Sequence, residues 1–231
     1  MRFLKPAIGV ALAPAALAGA WATGAALAPA LGRFSVTFPL LAGALLCLAF
    51  HWTGRGRRLY VAAHELTHAL AAVFSGVRVR KISVRRNSGY VLTDSGNAFI
   101  SLAPYFVPFY TLAVSAAYWT AGRFWDVSQL RPWFLAAAGF TLAFHLLHTA
   151  DILAGPVQSD LRNAGGPVFS LPLLLLLNCL GLAAALKLLF PGLLSLKAYA
   201  GRVLQAQGDA YSAIYAAALR LANTAKIYMR P

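Results

Sequence analysis

The chain contains a single glutamate, Glu65, and it stands beside a histidine in the pentapeptide HELTH, residues 64 to 68. With five histidines in 231 residues, chance places this pattern in on the order of one such chain in 2,000, so it is a specific signal. On a helix, positions i and i+4 share a face, and His64 and His68 can present ring nitrogens to one zinc ion at about 2.0 to 2.1 Å. Zinc lowers the pKa of a bound water to about 7, and Glu65 is the adjacent carboxylate that accepts its proton as general base during attack on a peptide carbonyl. The plain alternative is a pair of packed histidines with a snorkelling glutamate. It is disfavoured because ionisable groups inside an apolar helix are costly without a partner or a function.

A catalytic zinc takes a third protein ligand and keeps one position open. A second glutamate cannot serve, since the chain has none. The extended motif with a third histidine fails as well, because Ala71 and Phe74 occupy its Gly and His positions. Of the five aspartates, Asp94 adjoins a turn-rich segment, Asp126 sits in a short basic loop and Asp209 in the C-terminal tail. Asp151 and Asp160 flank the end of an apolar run and are the two candidates. His145 and His148, spaced i and i+3 on that run, can line the same cavity, orient a ligand or bind metal, with a packed or hydrogen-bonded role ranked first. Asn178 interrupts the run LLLLLN, which suggests a bond to another helix or, second, to substrate backbone.

The elements that carry these residues are those of a membrane protein. Hydrophobic residues make up 60% of the chain, charged residues 11%, and the mean hydropathy is +0.66, whereas soluble domains are roughly 25% charged. Six apolar stretches near residues 6–31, 36–53, 59–77, 97–120, 132–154 and 168–190 approach the ~20 residues needed to cross a bilayer. The expected fold is an all-α polytopic membrane protein of about six transmembrane helices. One segment breaks the pattern: VRVRKISV alternates with period two and runs into the Asn87-Ser88-Gly89 turn, so residues 78–93 predict a short β-hairpin after the HELTH helix. Pro104 and Pro108 predict a bend in the fourth stretch. After Pro191, Leu196, Tyr199, Val203, Ile214 and Leu221 mix with Arg202, Arg220, Lys226 and Arg230, as in an amphipathic helix on a membrane surface. The expected organisation is one membrane-embedded domain over 1–190, with its core at 59–178, and an amphipathic tail over 191–231.

Arg2 and Lys5 before an Ala-rich run would also suit a signal peptide, but the length of the run favours a retained helix. Cys47 and Cys179 fall within apolar stretches without metal-type spacing and read as packing residues. The formal charge of +14 is spread over loops and tail, which fits anionic lipid headgroups and not a nucleic acid partner.

Three segments together resemble the site-2 protease family of intramembrane zinc metalloproteases, in its small bacterial form. AAHELTHALAAVFSGVRVRKISV is similar to that family's catalytic helix and hairpin, SGYVLTDSGNAFISLAPYFVPFY to the next helix, and HLLHTADILAGPVQSDLRNAGGPVFS to its second metal-binding region. The resemblance implies one zinc per chain, held by His64, His68 and the aspartate of QSDL, Asp160, with Glu65 as base and Asp151 as runner-up ligand. Better-known members follow this aspartate with glycine; here Leu161 stands in that place. It further implies a transmembrane protein substrate, a site towards the cytoplasmic face, and residence in a bacterial cytoplasmic (inner) membrane. Arg78, Arg80, Lys81, Arg85 and Arg86 agree with a cytoplasmic hairpin, while Arg55, Arg57 and Arg58 at the other end of the same helix do not. The rival reading is a catalytically silent membrane scaffold that keeps the fold.

Overall fold

Backbone groups in a bilayer must bond within their own segment, so long apolar runs fold as helices. The computed structural model describes residues 3–189 and 195–228. Arg2 before the first apolar run, Pro191 before the tail and Arg230 near its end lie outside the described residues. In chain order the helices are α1 (Leu4–Leu31), α2 (Phe34–Trp52), α3 (Arg57–Phe74), α4 (Ala98–Leu102), α5 (Phe109–Ala121), α6 (Arg131–Ala154), α7 (Ser159–Ala164), α8 (Pro167–Leu189) and α9 (Leu196–Tyr228). A two-stranded antiparallel sheet, β1 (Val79–Val84) and β2 (Gly89–Thr93), lies between α3 and α4.

Among the described residues four helical stretches are long and apolar enough to cross a membrane: Leu4–Ala26, Phe34–Trp52, Ser128–Ala154 and Pro167–Lys187. A fifth is formed only if Ala98–Tyr105 and Phe109–Ala121, bent by 75° against each other, count as one span. Six spans, as expected from the sequence, are thus not confirmed by length and composition. The stretch at 59–77 forms helix α3, but Arg57, Arg58, His64, Glu65 and His68 make it too polar to qualify. Its faces explain how it fits an apolar protein: Leu59, Leu66, Leu70 and Val73 are exposed, while Tyr60, Glu65 and Thr67 are buried. The bend in the fourth stretch falls at Phe106–Pro108, where Pro108 cannot donate into a continuing helix.

Close approach of small residues holds the long helices together, as expected where lipid removes most of the hydrophobic drive between them. A Cβ on Gly43 of α2 would lie 1.9 Å from the Ala136 carbonyl oxygen of α6, and one on Gly139 of α6 would lie 2.0 Å from that of Leu40. The two helices therefore touch backbone to backbone at reciprocal glycines. Beside this contact Val36, Phe134, Leu135 and Ala138 form a buried cluster, with Tyr118 of α5 stacked on Phe134 at 4.0 Å between ring centroids. Gly9 of α1 makes a similar approach to Val168 of α8. Cys47 and Cys179 are free and buried.

The period-two segment forms the hairpin, with Val84 opposite Gly89, Ile82 opposite Val91 and Val79 opposite Thr93. Residues 196–228 are helical, and the first part of α9 runs antiparallel along α1. Tyr199 shares a hydrogen bond with Thr23 (2.9 Å), Tyr211 donates to the Ala11 carbonyl (2.5 Å), and Tyr199 and Val203 are buried with Ala22 and Ala183.

Candidate metal centre

Helical spacing puts His64 and His68 on one face of α3, and their Nε2 atoms lie 3.2 Å apart. Asp160 of α7 reaches the same point from 92 residues further along the chain, its Oδ2 3.3 Å from His64 Nε2 and 3.5 Å from His68 Nε2. Four ligands at about 2.0 to 2.1 Å in a tetrahedron are separated by about 3.3 to 3.4 Å. The triangle of 3.2, 3.3 and 3.5 Å thus has the size of one face of such a tetrahedron, and its donor set of two imidazoles and a carboxylate suits zinc.

The surrounding groups orient these donors. His68 Nδ1 lies 2.7 Å from the Ile100 carbonyl, which can only accept, so Nδ1 carries a proton and Nε2 is the atom whose lone pair, in the neutral ring, is left to bind a metal. Ile100 is itself fixed because the Asn97 side chain caps α4 by accepting from the Ile100 amide at 2.8 Å. Tyr60, one turn before His64, has its hydroxyl 3.3 Å from His64 Nδ1. Tyr105, almost wholly buried, donates to Asp160 Oδ2 at 3.0 Å, and its own carbonyl accepts from Asn178 Nδ2 at 2.9 Å. Asn178 also donates to Leu174 within α8, so it ties that helix to the residue supporting Asp160. Burial alone would raise the Asp160 carboxyl, but its hydrogen bonds to His64 and His68 outweigh this and hold it well below the usual carboxylate range.

Gly165 and Gly166, at φ of 145° and 90°, turn the chain from α7 into α8 through backbone conformations that other residues rarely adopt. The mouth of the site is a cavity of about 500 Å³ that takes in His64, Glu65, His68 and Asp160 on one side and Gly89, Tyr90 and Val91 of β2 on the other. The Glu65 carboxylate packs directly against Gly89, where a Cβ would lie 2.6 Å from Oε1. A side chain at the position that begins β2 would therefore push the Glu65 carboxylate from its place.

The other sequence candidates go elsewhere. Asp151 is exposed and pairs with His51, Nε2 to Oδ2 at 3.1 Å, in a cluster that also includes His148. His145 is buried and lines a small cavity beside Tyr60, His64 and Thr67, while its other side adjoins Asn178. Sequence reasoning missed Tyr60, Tyr105 and Gly89. Tyr60 could have been found, because it lies four residues before His64 on the same helical face. Gly89 was visible as a turn residue but not as a neighbour of Glu65, and nothing in the local sequence around Tyr105 points to Asp160.

Replacing Tyr105 with phenylalanine removes one donor to Asp160 and little else. We expect a loss of roughly 10- to 100-fold in metal affinity, the range found for groups that orient metal ligands, measured by competition with a chromophoric chelator. Unchanged affinity would mean that Asp160 is positioned without that hydrogen bond.

Comparison with known proteins agrees with the membrane helices and the residues of α3. No curated protein and no solved structure matches the chain. The Peptidase M50B-like family matches residues 36–153, from the start of α2 to the end of α6, which includes HELTH and the hairpin and stops short of Asp160. The match covers just over half of the chain, which is an integral membrane protein belonging to the Peptidase M50B-like family, and so to the site-2 proteases.

Proposed function

We propose that the chain is an intramembrane zinc metalloendopeptidase that hydrolyses membrane-spanning or membrane-proximal protein segments. The observation that carries this reading is the triangle of donor atoms from His64, His68 and Asp160, with the only glutamate of the chain lining the same cavity. Zinc held there by those three residues would supply a Lewis acid that polarises the peptide carbonyl and brings the attacking water towards a pKa of about 7. Glu65 takes the proton from that water at its carboxylate and returns it to the leaving amide nitrogen. His68 is kept in the ligating tautomer by Ile100, and Asp160 is held by Tyr105. A bacterial cytoplasmic membrane as the location rests on the resemblance of its motifs to the small bacterial site-2 proteases.

A substrate helix must be unwound before its peptide bonds can approach such a site, and an exposed strand edge can hold the extended segment. The strand along the cavity is β2, so it is the docking edge we assign. The Asp94 amide donates to Arg78 and the Ser88 carbonyl accepts from Arg85, so even-numbered residues of β2 turn their backbone groups towards β1. Gly89, Val91 and Thr93 then offer theirs to the free edge. Val91→Pro deletes an outward amide without removing a ladder bond and is expected to lower cleavage at least 10-fold with zinc retained. Unimpaired cleavage by that variant would remove strand addition from the mechanism. The break between α4 and α5 supports a route by which substrate or water enters.

The protease reading is tested by co-reconstituting the chain in liposomes with proteins bearing a single helical span. Cleavage within or beside the span, lost on zinc chelation and regained on zinc addition, is the expected result. A zinc-loaded, folded chain that cleaves no member of a broad panel would favour the silent scaffold.

A further inference from the structure

Outside the site just described, the described residues contain one other grouping of metal-ligating side chains: His51 at the end of α2, with His148 and Asp151 one turn apart on α6. One donor atom from each lies within 4.8 Å of the others. His51 Nε2 is 3.1 Å from Asp151 Oδ2, and the two imidazole rings meet edge to face with centroids 4.9 Å apart. They border a cavity of about 480 Å³ that also takes in Arg57, Tyr60 and Gln158.

We propose that His51, His148 and Asp151 form a second site for a divalent transition-metal ion of the zinc type, weaker than the first. A simple ion pair accounts for His51 and Asp151 but not for the second imidazole, which would repel the first if both were protonated. His51 Nδ1 and His148 Nδ1 are both buried without a hydrogen-bond partner, so the ion pair through His51 Nε2 still leaves each ring with an unsatisfied nitrogen. One cation satisfies two imidazoles and a carboxylate together, and this mixed donor set selects zinc, nickel, cobalt or copper over calcium or magnesium. His51 and Asp151 are already 3.1 Å apart, so closing to a tetrahedral edge of about 3.3 Å requires the His148 donor and the other two to approach by up to about 1.5 Å. The remaining coordination positions face the cavity and would be filled by water.

Two features make the site the weaker one. The Arg57 guanidinium borders the cavity and opposes an added cation, and the Asp151 side chain is 61% exposed against 22% for Asp160. The two sites are nonetheless neighbours. Tyr60 separates them, its hydroxyl 3.3 Å from His64 Nδ1 and its ring 5.1 Å from that of His148, and Ile152 and Gln158 line both cavities. The inference stands whether or not the chain hydrolyses peptides.

The test is calorimetric titration of Zn²⁺ into the full-length, tag-free chain in detergent after metal removal. Wild type is expected to take up two equivalents with distinguishable affinities. His51→Gln and His148→Phe should each lose the weaker equivalent and keep the tighter; the phenylalanine preserves the stack on Phe144. His64→Ala should show the opposite loss. Should His148→Phe fail to fold, the partly exposed His51→Gln variant still decides the matter. A single equivalent in wild type, or a weaker equivalent unchanged in His51→Gln, overturns the second site.

Discussion

Glu65→Gln is expected to reduce peptide hydrolysis by about 10²- to 10⁴-fold, the share a positioned general base contributes, while the zinc content stays at its wild-type level. Glutamine keeps the shape of the side chain and its packing against Gly89, so the cavity wall is preserved. It cannot take a proton at the atom where the carboxylate would. No other glutamate exists to substitute, and Asp160 is engaged with His64, His68 and Tyr105. Cleavage and zinc content measured on the same preparation separate loss of the base from loss of the metal. Activity within a few-fold of wild type would remove Glu65 from the chemistry, whatever holds the metal.

Asp160→Ala is expected to weaken zinc binding at the HELTH site by more than the roughly 10- to 100-fold seen when a supporting residue is lost, because it deletes a donor atom itself. It also leaves the Tyr105 hydroxyl buried without its acceptor, which adds a cost to the metal-free protein. Asp151→Ala should leave that affinity unchanged, since Asp151 faces His51 in the other cavity. Chelator competition on the two variants side by side distinguishes them. Equal loss in both would return Asp151 to the first site, and no loss in Asp160→Ala would leave His64 and His68 with a different third ligand.

How far the molecule can be read from its sequence depends on the distance over which each feature is encoded. HELTH is legible because the two histidines and the glutamate share one helix, where spacing alone fixes their common face. The hairpin is legible for a similar reason, from alternation and a turn within 16 residues. The third corner is different. Asp151 and Asp160 are both near the end of α6, and only the reversal through Gly155 and the short helix α7 directs Asp160 towards His64. His145 and His148 looked like one pair but face different cavities, because three residues along a helix turn them about 60° apart. Six spans are not confirmed where apolar length was taken as sufficient: α3 carries Tyr60, Glu65 and Thr67 on its buried face, and the prolines that foretold a bend did not foretell 75°. His51 had no visible role, since its neighbours His148 and Asp151 lie 97 and 100 residues away on a helix brought close by Gly43 and Gly139.

The most direct measurement is zinc per chain, by elemental analysis of tag-free protein purified in detergent and dialysed against a weak chelator to clear loosely held metal. The account predicts close to one equivalent in wild type and in Asp151→Ala, and almost none in folded His64→Ala and Asp160→Ala. A folded wild type without zinc under conditions that do not strip tight sites, or a His64→Ala protein that keeps its full equivalent, would contradict it.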